Sequence, residues 1–266
     1  DGETLSASLY KAQCTQVSTA YGDADVSEMV NAINEEIEEE LSAAFAKTEV
    51  LLNGERAPGV RTEETNLGDF ATDAMLWQAN EAYSEKVVAA FNNGGGIRAS
   101  IDIGDVTMKD MKTVFPYGNT LQIMTLKGSE MLELFEASTY CTPEPLGGFM
   151  QVSGIVMTID TTVPYENGEQ YPDSTYYAPA NPGSRVTIET VGGEPFDLDA
   201  EYVIVTNDFS AAGGDQCYVL KYANQQTGYN TRIALEDALI NYTTEVLGGV
   251  IGEEYAEPQG RITVIQ

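Results

Sequence analysis

A mixed α/β (α+β) fold, with a mixed β-sheet, flanking helices and a long leading helix, is predicted by three observations. From Asp25 onward, Val26, Met29, Ile33, Ile37, Leu41 and Phe45 recur at helical spacing, while Glu35, Glu36, Glu38, Glu39 and Glu40 take the other positions. That pattern describes a long amphipathic helix with a solvated acidic face. Farther on, short apolar runs at 87–91, 120–126 and 202–206 have strand length and are flanked by turn residues. Finally, no period of 20–50 residues repeats, and the loops are too irregular for a barrel.

Each element has a local warrant. Residues 1–20 hold a weak alternating run, Leu5-Ser6-Ala7-Ser8-Leu9-Tyr10, and Asp25 can cap the long helix with Glu28 three residues on. A short strand is expected over 48–52, a turn at Asn53-Gly54, and a loop through Arg56-Ala57-Pro58-Gly59-Val60-Arg61. Thr65 or Asn66 caps a second helix, whose Leu67, Phe70, Ala74 and Trp77 share a face that should pack on the sheet. After strand 87–91 comes Asn92-Asn93-Gly94-Gly95-Gly96-Ile97-Arg98, placed where open α/β sheets bind ligands, at the end of a buried strand. Glycine lets the main chain approach a ligand and expose its N–H groups, and Arg98 adds a planar fork of donors. The run fits neither the Walker nor the dinucleotide spacing, and glycine runs are also common turn punctuation.

Next are expected a helix over 107–114, a tight bend at Phe115-Pro116-Tyr117-Gly118-Asn119, strand 120–126, a helix from Ser129 and a strand pair or bent strand over 149–159. Residues 161–184 carry Pro164, Pro172, Pro179 and Pro182 with Tyr165, Tyr171, Tyr176 and Tyr177, a surface excursion ordered by its tyrosines. Strands at 185–190 and 202–206 lead into Asp208-Phe209-Ser210-Ala211-Ala212-Gly213-Gly214-Asp215, a second glycine-bearing loop at a strand end. A helix over 233–247, closed by Gly248-Gly249, and a last strand at 261–265 complete the chain.

Composition excludes whole classes of chemistry. The 266 residues include 42 Asp plus Glu against 13 Lys plus Arg, a formal charge of −29 that repels nucleic-acid polymers and anionic membranes. An anionic ligand must therefore be met locally. There is no histidine, so a Ser-His-Asp triad and imidazole-held metals are ruled out within these residues. Cys14, Cys141 and Cys217 form no CxxC pair, and neither a disulfide framework nor a zinc-thiolate site is indicated. No leader-like start and no run of about 18 apolar residues is present, which predicts a soluble chain without a membrane span.

The motifs combine. Arg61-Thr-Glu-Glu-Thr-Asn-Leu-Gly-Asp69, Asn93-Gly-Gly-Gly-Ile-Arg98, Phe115-Pro-Tyr-Gly-Asn119, Leu126-Lys-Gly128, Phe149-Met-Gln-Val-Ser-Gly154, and Asp208-Phe209 with Gly213-Gly-Asp215 occur in one order. In that order they resemble the C-terminal domain of the 5′-nucleotidase family, a likeness that extends to UDP-sugar hydrolases and cyclic-nucleotide phosphodiesterases. The resemblance implies that 47–266 form a nucleotide-binding domain, 23–46 an interdomain linker helix and 1–22 the end of a metallophosphatase domain. That N-terminal domain of the same polypeptide would hold two divalent metal ions and perform the hydrolysis. No cofactor or metal site is expected in the present residues, and no hydrolysis by them alone.

Carried over position by position, Tyr117 and Phe209 match the aromatics that sandwich the base, with Tyr117 replacing a frequent phenylalanine. Asp215 matches the carboxylate that accepts from ribose hydroxyls, Asn93 an asparagine facing the nucleoside, and Arg61 and Arg98 the arginines near ribose and phosphate. Gly94, Gly95, Gly96, Gly213 and Gly214 supply the loop backbone. The implied ligand is a nucleoside or nucleotide and the implied location extracellular or in the cell envelope. The alternative is a stand-alone nucleoside-binding or interaction module with no catalytic partner.

Overall fold

Five strands make the sheet that positions the site in the computed structural model, which describes residues 24–266. They are β2 (Ala89–Asn93), β4 (Thr120–Lys127), β5 (Met150–Ser153), β11 (Glu201–Asn207) and β12 (Tyr229–Ala234), lying in the order β12-β4-β11-β2-β5. β2 and β11 run parallel, whereas β4 is antiparallel to β11 and β5 to β2, giving the mixed sheet expected from the sequence. Smaller sheets join β1 (Ala44–Thr48) with β3 (Gly104–Thr107) and β13 (Val250–Ile251), and β6 (Ile155–Asp160) with β9 (Val186–Val191), β10 (Glu194–Pro195) and β14 (Ile262–Ile265).

Both faces of the five-stranded sheet are covered, and this explains why its three central strands, β4, β11 and β2, read as largely apolar runs. Ala90, Leu121, Ile123 and Val205 face one core, shared with Leu67, Phe70 and Met75 of helix α2 (Asn66–Ala82), Met111 and Val114 of α3 (Met108–Val114), and Leu235 and Leu239 of α7 (Leu235–Asn241). Phe91, Met124, Leu126 and Ile204 face the other, with Met131 and Phe135 of α4 (Gly128–Ser138), Leu220 of α6 (Tyr218–Thr227), and Met157 and Ile188 of the second sheet. Phe91 and Phe135 meet edge to face, centroids 5.7 Å apart. Burying each such ring contributes about 1.5–3 kcal/mol.

The chain divides into two units after Ala43. Helix α1 (Ala24–Leu41) belongs to the first, with Val26, Met29, Ile33 and Ile37 exposed. Asp25 lies in its first turn rather than capping it, and the helix ends before Phe45, which sits on β1. The first strand is thus 44–48 and not 48–52, because that is the stretch that pairs with β3 and β13, although the inward alternation of Ala46, Thr48, Val50 and Leu52 runs on past it. Residues 1–23, including the alternating run and Cys14, lie outside the described residues.

Other departures cluster near the C-terminus. The expected helix 233–247 begins only at Leu235, after β12, and continues beyond Asn241 as a π-helical turn, Tyr242–Val246. Helix α6 and strand β12 escaped the sequence reading, since their polar, mixed patterns have neither clean period. The 161–184 excursion contains the hairpin β7 (Asn167–Gln170) and β8 (Tyr177–Pro179), and its Tyr171 and Tyr176 pack on Tyr218 of α6, centroids 4.8 and 6.0 Å away.

Candidate functional site

Strand direction brings the motifs to one edge of the sheet. The parallel strands β2 and β11 end side by side at Asn93 and Asn207, so the Gly94–Gly96 turn and α5 (Asp208–Ala211) emerge together. Leu121 of antiparallel β4 pairs with Asn207, which puts the 115–119 bend at the same edge. Met150 of β5 pairs with Asn93, adding the 146–149 segment. The loop before α2 is attached through Gln151, whose amide accepts from Thr65 N–H (3.0 Å) and donates to Val60 O (3.2 Å) and Glu63 O (2.8 Å).

The result is a cleft of about 390 Å³ lined by Arg61, Asn93, Gly95, Gly96, Tyr117, Asn119, Gly147, Phe209 and Asp215. Small-molecule sites are typically about 300–1,000 Å³. Tyr117 is 62% exposed and Phe209 45%, unlike the buried aromatics of the two cores. Their ring faces are available to a planar ligand. A wider groove of about 780 Å³ lies beside Tyr171, Tyr176 and Tyr218. It contains none of the predicted ligand residues, and two of its tyrosine hydroxyls already donate to Glu133 and Pro172 O.

A buried amide network presets the polar side. Asn207 Nδ2 donates to Asn92 Oδ1 (2.6 Å) and Asn93 Oδ1 (2.9 Å), while Asn207 Oδ1 accepts from Ser210 N–H (2.7 Å) and caps α5. With its oxygen held by Asn207, Asn93 turns Nδ2 to Asp215 Oδ2 at 3.2 Å. Asp215 sits at φ 51°, a left-handed conformation that aspartate tolerates better than most residues.

A family match covers the segment that builds this edge. Residues 43–222 match the family described as "5'-nucleotidase, C-terminal domain". The chain belongs to this family. It is 35% identical over 207 residues to the trifunctional nucleotide phosphoesterase protein YfkN of Bacillus subtilis, covering 77% of this chain and 13% of that protein. It is 30% identical over 268 residues to an apyrase of Tabanus yao, covering 92% and 43% respectively. Among solved structures, the 5′-nucleotidase precursor of Thermus thermophilus superposes with a TM-score of 0.74 at 34% identity, over 94% of this chain and 45% of that one. The chain thus spans less than half the length of each of these relatives.

Within this 5′-nucleotidase C-terminal domain, five of the six predicted side chains, Arg61, Asn93, Tyr117, Phe209 and Asp215, meet in the cleft. Arg98 does not line it. Its guanidinium carbon stands 5.8 Å from the Tyr117 centroid, and Nη1 donates to Gly95 O at 3.2 Å. It belongs instead to an adjoining cavity of about 270 Å³ with Arg56 and Arg61. Burial, then the neighbouring Arg56 and Arg98, lower the Arg61 pKa from its ordinary value, against the pull of Asp215 and Tyr117. This arginine group gives a strongly acidic chain a local cationic patch.

The glycines act differently from the sequence expectation. Gly94 N–H donates to Phe149 O and Gly95 N–H to Gly147 O, each at 2.7 Å, so these amides tie the turn to its neighbour rather than facing a ligand. Gly94 is not at the cleft surface, and a Cβ there would lie 1.8 Å from Val60 O. Gly213 and Gly214 also stay outside the lining. Their amides bond back to Ser210 O (2.9 Å) and Phe209 O (3.0 Å), folding the loop beneath the Phe209 ring.

Sequence reasoning did not single out Arg56, Asn119 or Gly147 as site residues. Arg56 and Asn119 belonged to segments already recognised as loops, whereas Gly147 had no local signal. Its place, where a Cβ would lie 3.4 Å from Asp215 Oδ2 and 3.9 Å from Arg61 Nη1, follows only from pairing of β5 with β2. Among the described residues no group of three or more His, Cys, Asp or Glu is arranged to hold a metal ion, and no helix is long and apolar enough to cross a membrane.

Proposed function

We propose that this domain is the substrate-binding part of a metal-dependent 5′-nucleotidase-type phosphohydrolase and grips a nucleoside between Tyr117 and Phe209. The carrying observation is the convergence of Arg61, Asn93, Tyr117, Phe209 and Asp215 on one cleft from four separate loops. The base stacks between the two exposed rings, each face contributing about 1–3 kcal/mol with little dependence on base identity. Asp215, steadied by Asn93 Nδ2, accepts from ribose hydroxyls. Arg61, with Arg98 and Arg56 beside it, attracts the phosphate toward the rim.

Chemistry is assigned to two divalent metal ions on an N-terminal metallophosphatase domain of the same polypeptide, secreted or retained in the cell envelope. The relatives' greater length accommodates such a domain. These residues, without histidine, bind and orient substrate, and metal ions on that domain would supply the polarisation of a phosphoryl oxygen and the activated water. The purified 266-residue chain is expected to bind adenosine and AMP without hydrolysing AMP in the presence of magnesium, manganese or zinc. Isothermal titration tests the clamp. A Tyr117→Ala, Phe209→Ala double variant should lose most adenosine affinity, and unchanged binding would sink the assignment.

A further inference from the structure

The two aromatic walls arrive on different strands, Tyr117 on the bend before β4 and Phe209 on α5 after β11. A single carboxylate joins them. Asp208, adjacent to Phe209, accepts through Oδ1 from Asn119 Nδ2 (2.7 Å) and Thr120 N–H (3.3 Å), and through Oδ2 from the Thr120 hydroxyl (3.2 Å). The Thr120 hydroxyl oxygen in turn accepts from Asn230 Nδ2 at 2.8 Å, which holds its proton toward Asp208. The bend is further anchored where Asn119 O accepts from Leu235 N–H at 3.0 Å.

This arrangement has a chemical polarity. An ionised carboxylate only accepts, so Asn119 must present its NH₂ end to Asp208, and the amide oxygen is the end turned away. A flipped amide would set two acceptors against each other. Asn119 lines the cleft, and with its NH₂ end drawn to Asp208 the amide oxygen is the acceptor it can offer a ligand.

We propose that Asp208 is a positioning residue that fixes the spacing of the two aromatic walls and orients Asn119 as an acceptor toward the base. The site consequently favours bases whose edge carries an amino group. The inference rests on the nucleoside clamp described above and adds base selectivity, which stacking alone does not supply. A neutral amide at position 208 both donates and accepts, so Asn119 is then free to turn over.

The test compares adenosine with purine riboside, which lacks the 6-amino group, and cytidine with uridine, by titration of the 266-residue chain. Wild type should favour the amino-bearing member of each pair on the order of fivefold, the size of one net hydrogen bond. Asp208→Asn should bring both ratios close to one while retaining adenosine binding. Asp208→Ala should weaken all four ligands and also lose the ratio. Asn119→Ala, which leaves Asp208 its Thr120 donors, tests the acceptor independently should either Asp208 variant fold poorly, and it too should abolish the preference.

General loosening lowers every affinity without changing the ratios, so the ratio separates orientation from stability. Equal affinities within both pairs for wild type, or ratios unaltered in Asp208→Asn or Asn119→Ala, overturn this inference and leave the clamp standing. Failure of wild type to bind any of the four nucleosides overturns the clamp, and this inference with it.

Discussion

A methyl group added at Gly214 would lie 2.5 Å from the tip of the Phe209 ring. Backbone beneath the ring cannot yield as a flexible side chain does, so Gly214→Ala should lift or rotate Phe209 out of its stacking position. We expect adenosine affinity to fall on the order of tenfold, toward the loss of one stacking face, with the melting temperature little changed because the ring is already half exposed. Titration and thermal unfolding on one sample check this, and retained affinity would contradict the ring placement. Tyr117 and Phe209 were legible in the sequence through the motifs that carry the family resemblance, Phe115-Pro-Tyr-Gly-Asn119 and Asp208-Phe209, since an aromatic at a strand end taken alone reads as a core residue. Arg98 was legible as a residue but not in its place, since only the fold sets it beside Tyr117, next to the cleft instead of within it.

At the scale of the element, the Arg61 loop depends on one side chain from a different strand. Gln151 is fully buried on β5 and satisfies Thr65 N–H, Val60 O and Glu63 O. Gln151→Ala leaves these groups to find other partners at about 1–3 kcal/mol per group that stays buried and unsatisfied. Urea denaturation should show a loss of roughly 2–4 kcal/mol, and amide exchange should accelerate first over 60–65, before the sheet opens. A stability change below half a kcal/mol would argue against the staple. Helix α2 itself was readable from its cap and stripe: Thr65 Oγ1 accepts from Gly68 N–H at 3.0 Å, and Leu67, Phe70 and Ala74 are buried. The Gln151 staple was not readable, because it spans 86 residues between Thr65 and its partner.

Across the whole molecule, electrostatics couples fold to pH. Asp69, fully buried in the first turn of α2, has its pKa pushed up to about 8, first by burial and then by Glu64, against the pull of Arg261 and the Gln259 N–H. Asp73 shares Arg261, at 2.8 Å from Nη2, and also accepts from Ser153 and the Tyr255 hydroxyl. Glu64 accepts from Ile262 N–H, so the cluster joins α2 to β14. Because the folded pKa lies above the unfolded value of 3.8, the native state binds more protons between these limits. Stability therefore falls as pH rises from about 4 to about 8, by up to about 1.4 kcal/mol per unit for one proton, and levels off above. Denaturant midpoints between about pH 5 and 9 should show this decline, and Asp69→Asn should flatten it. An equal slope in the variant would remove Asp69 as its cause.

The sequence by itself determined the mixed α/β class, most helices and strands, the family motifs and five side chains that the cleft gathers. Periodicity, caps and turn residues act between near neighbours, so each leaves a local trace. Tertiary structure decided the parallel pairing of β2 with β11 and the antiparallel placement of β4 and β5, which put four loops at one edge. It also turned two glycine amides inward, set Arg98 on the rim and gave Asp208 its hold on Asn119. Strand order and register are chosen by burial on both sheet faces and by hydrogen bonds between distant segments, energies that no short stretch of chain contains.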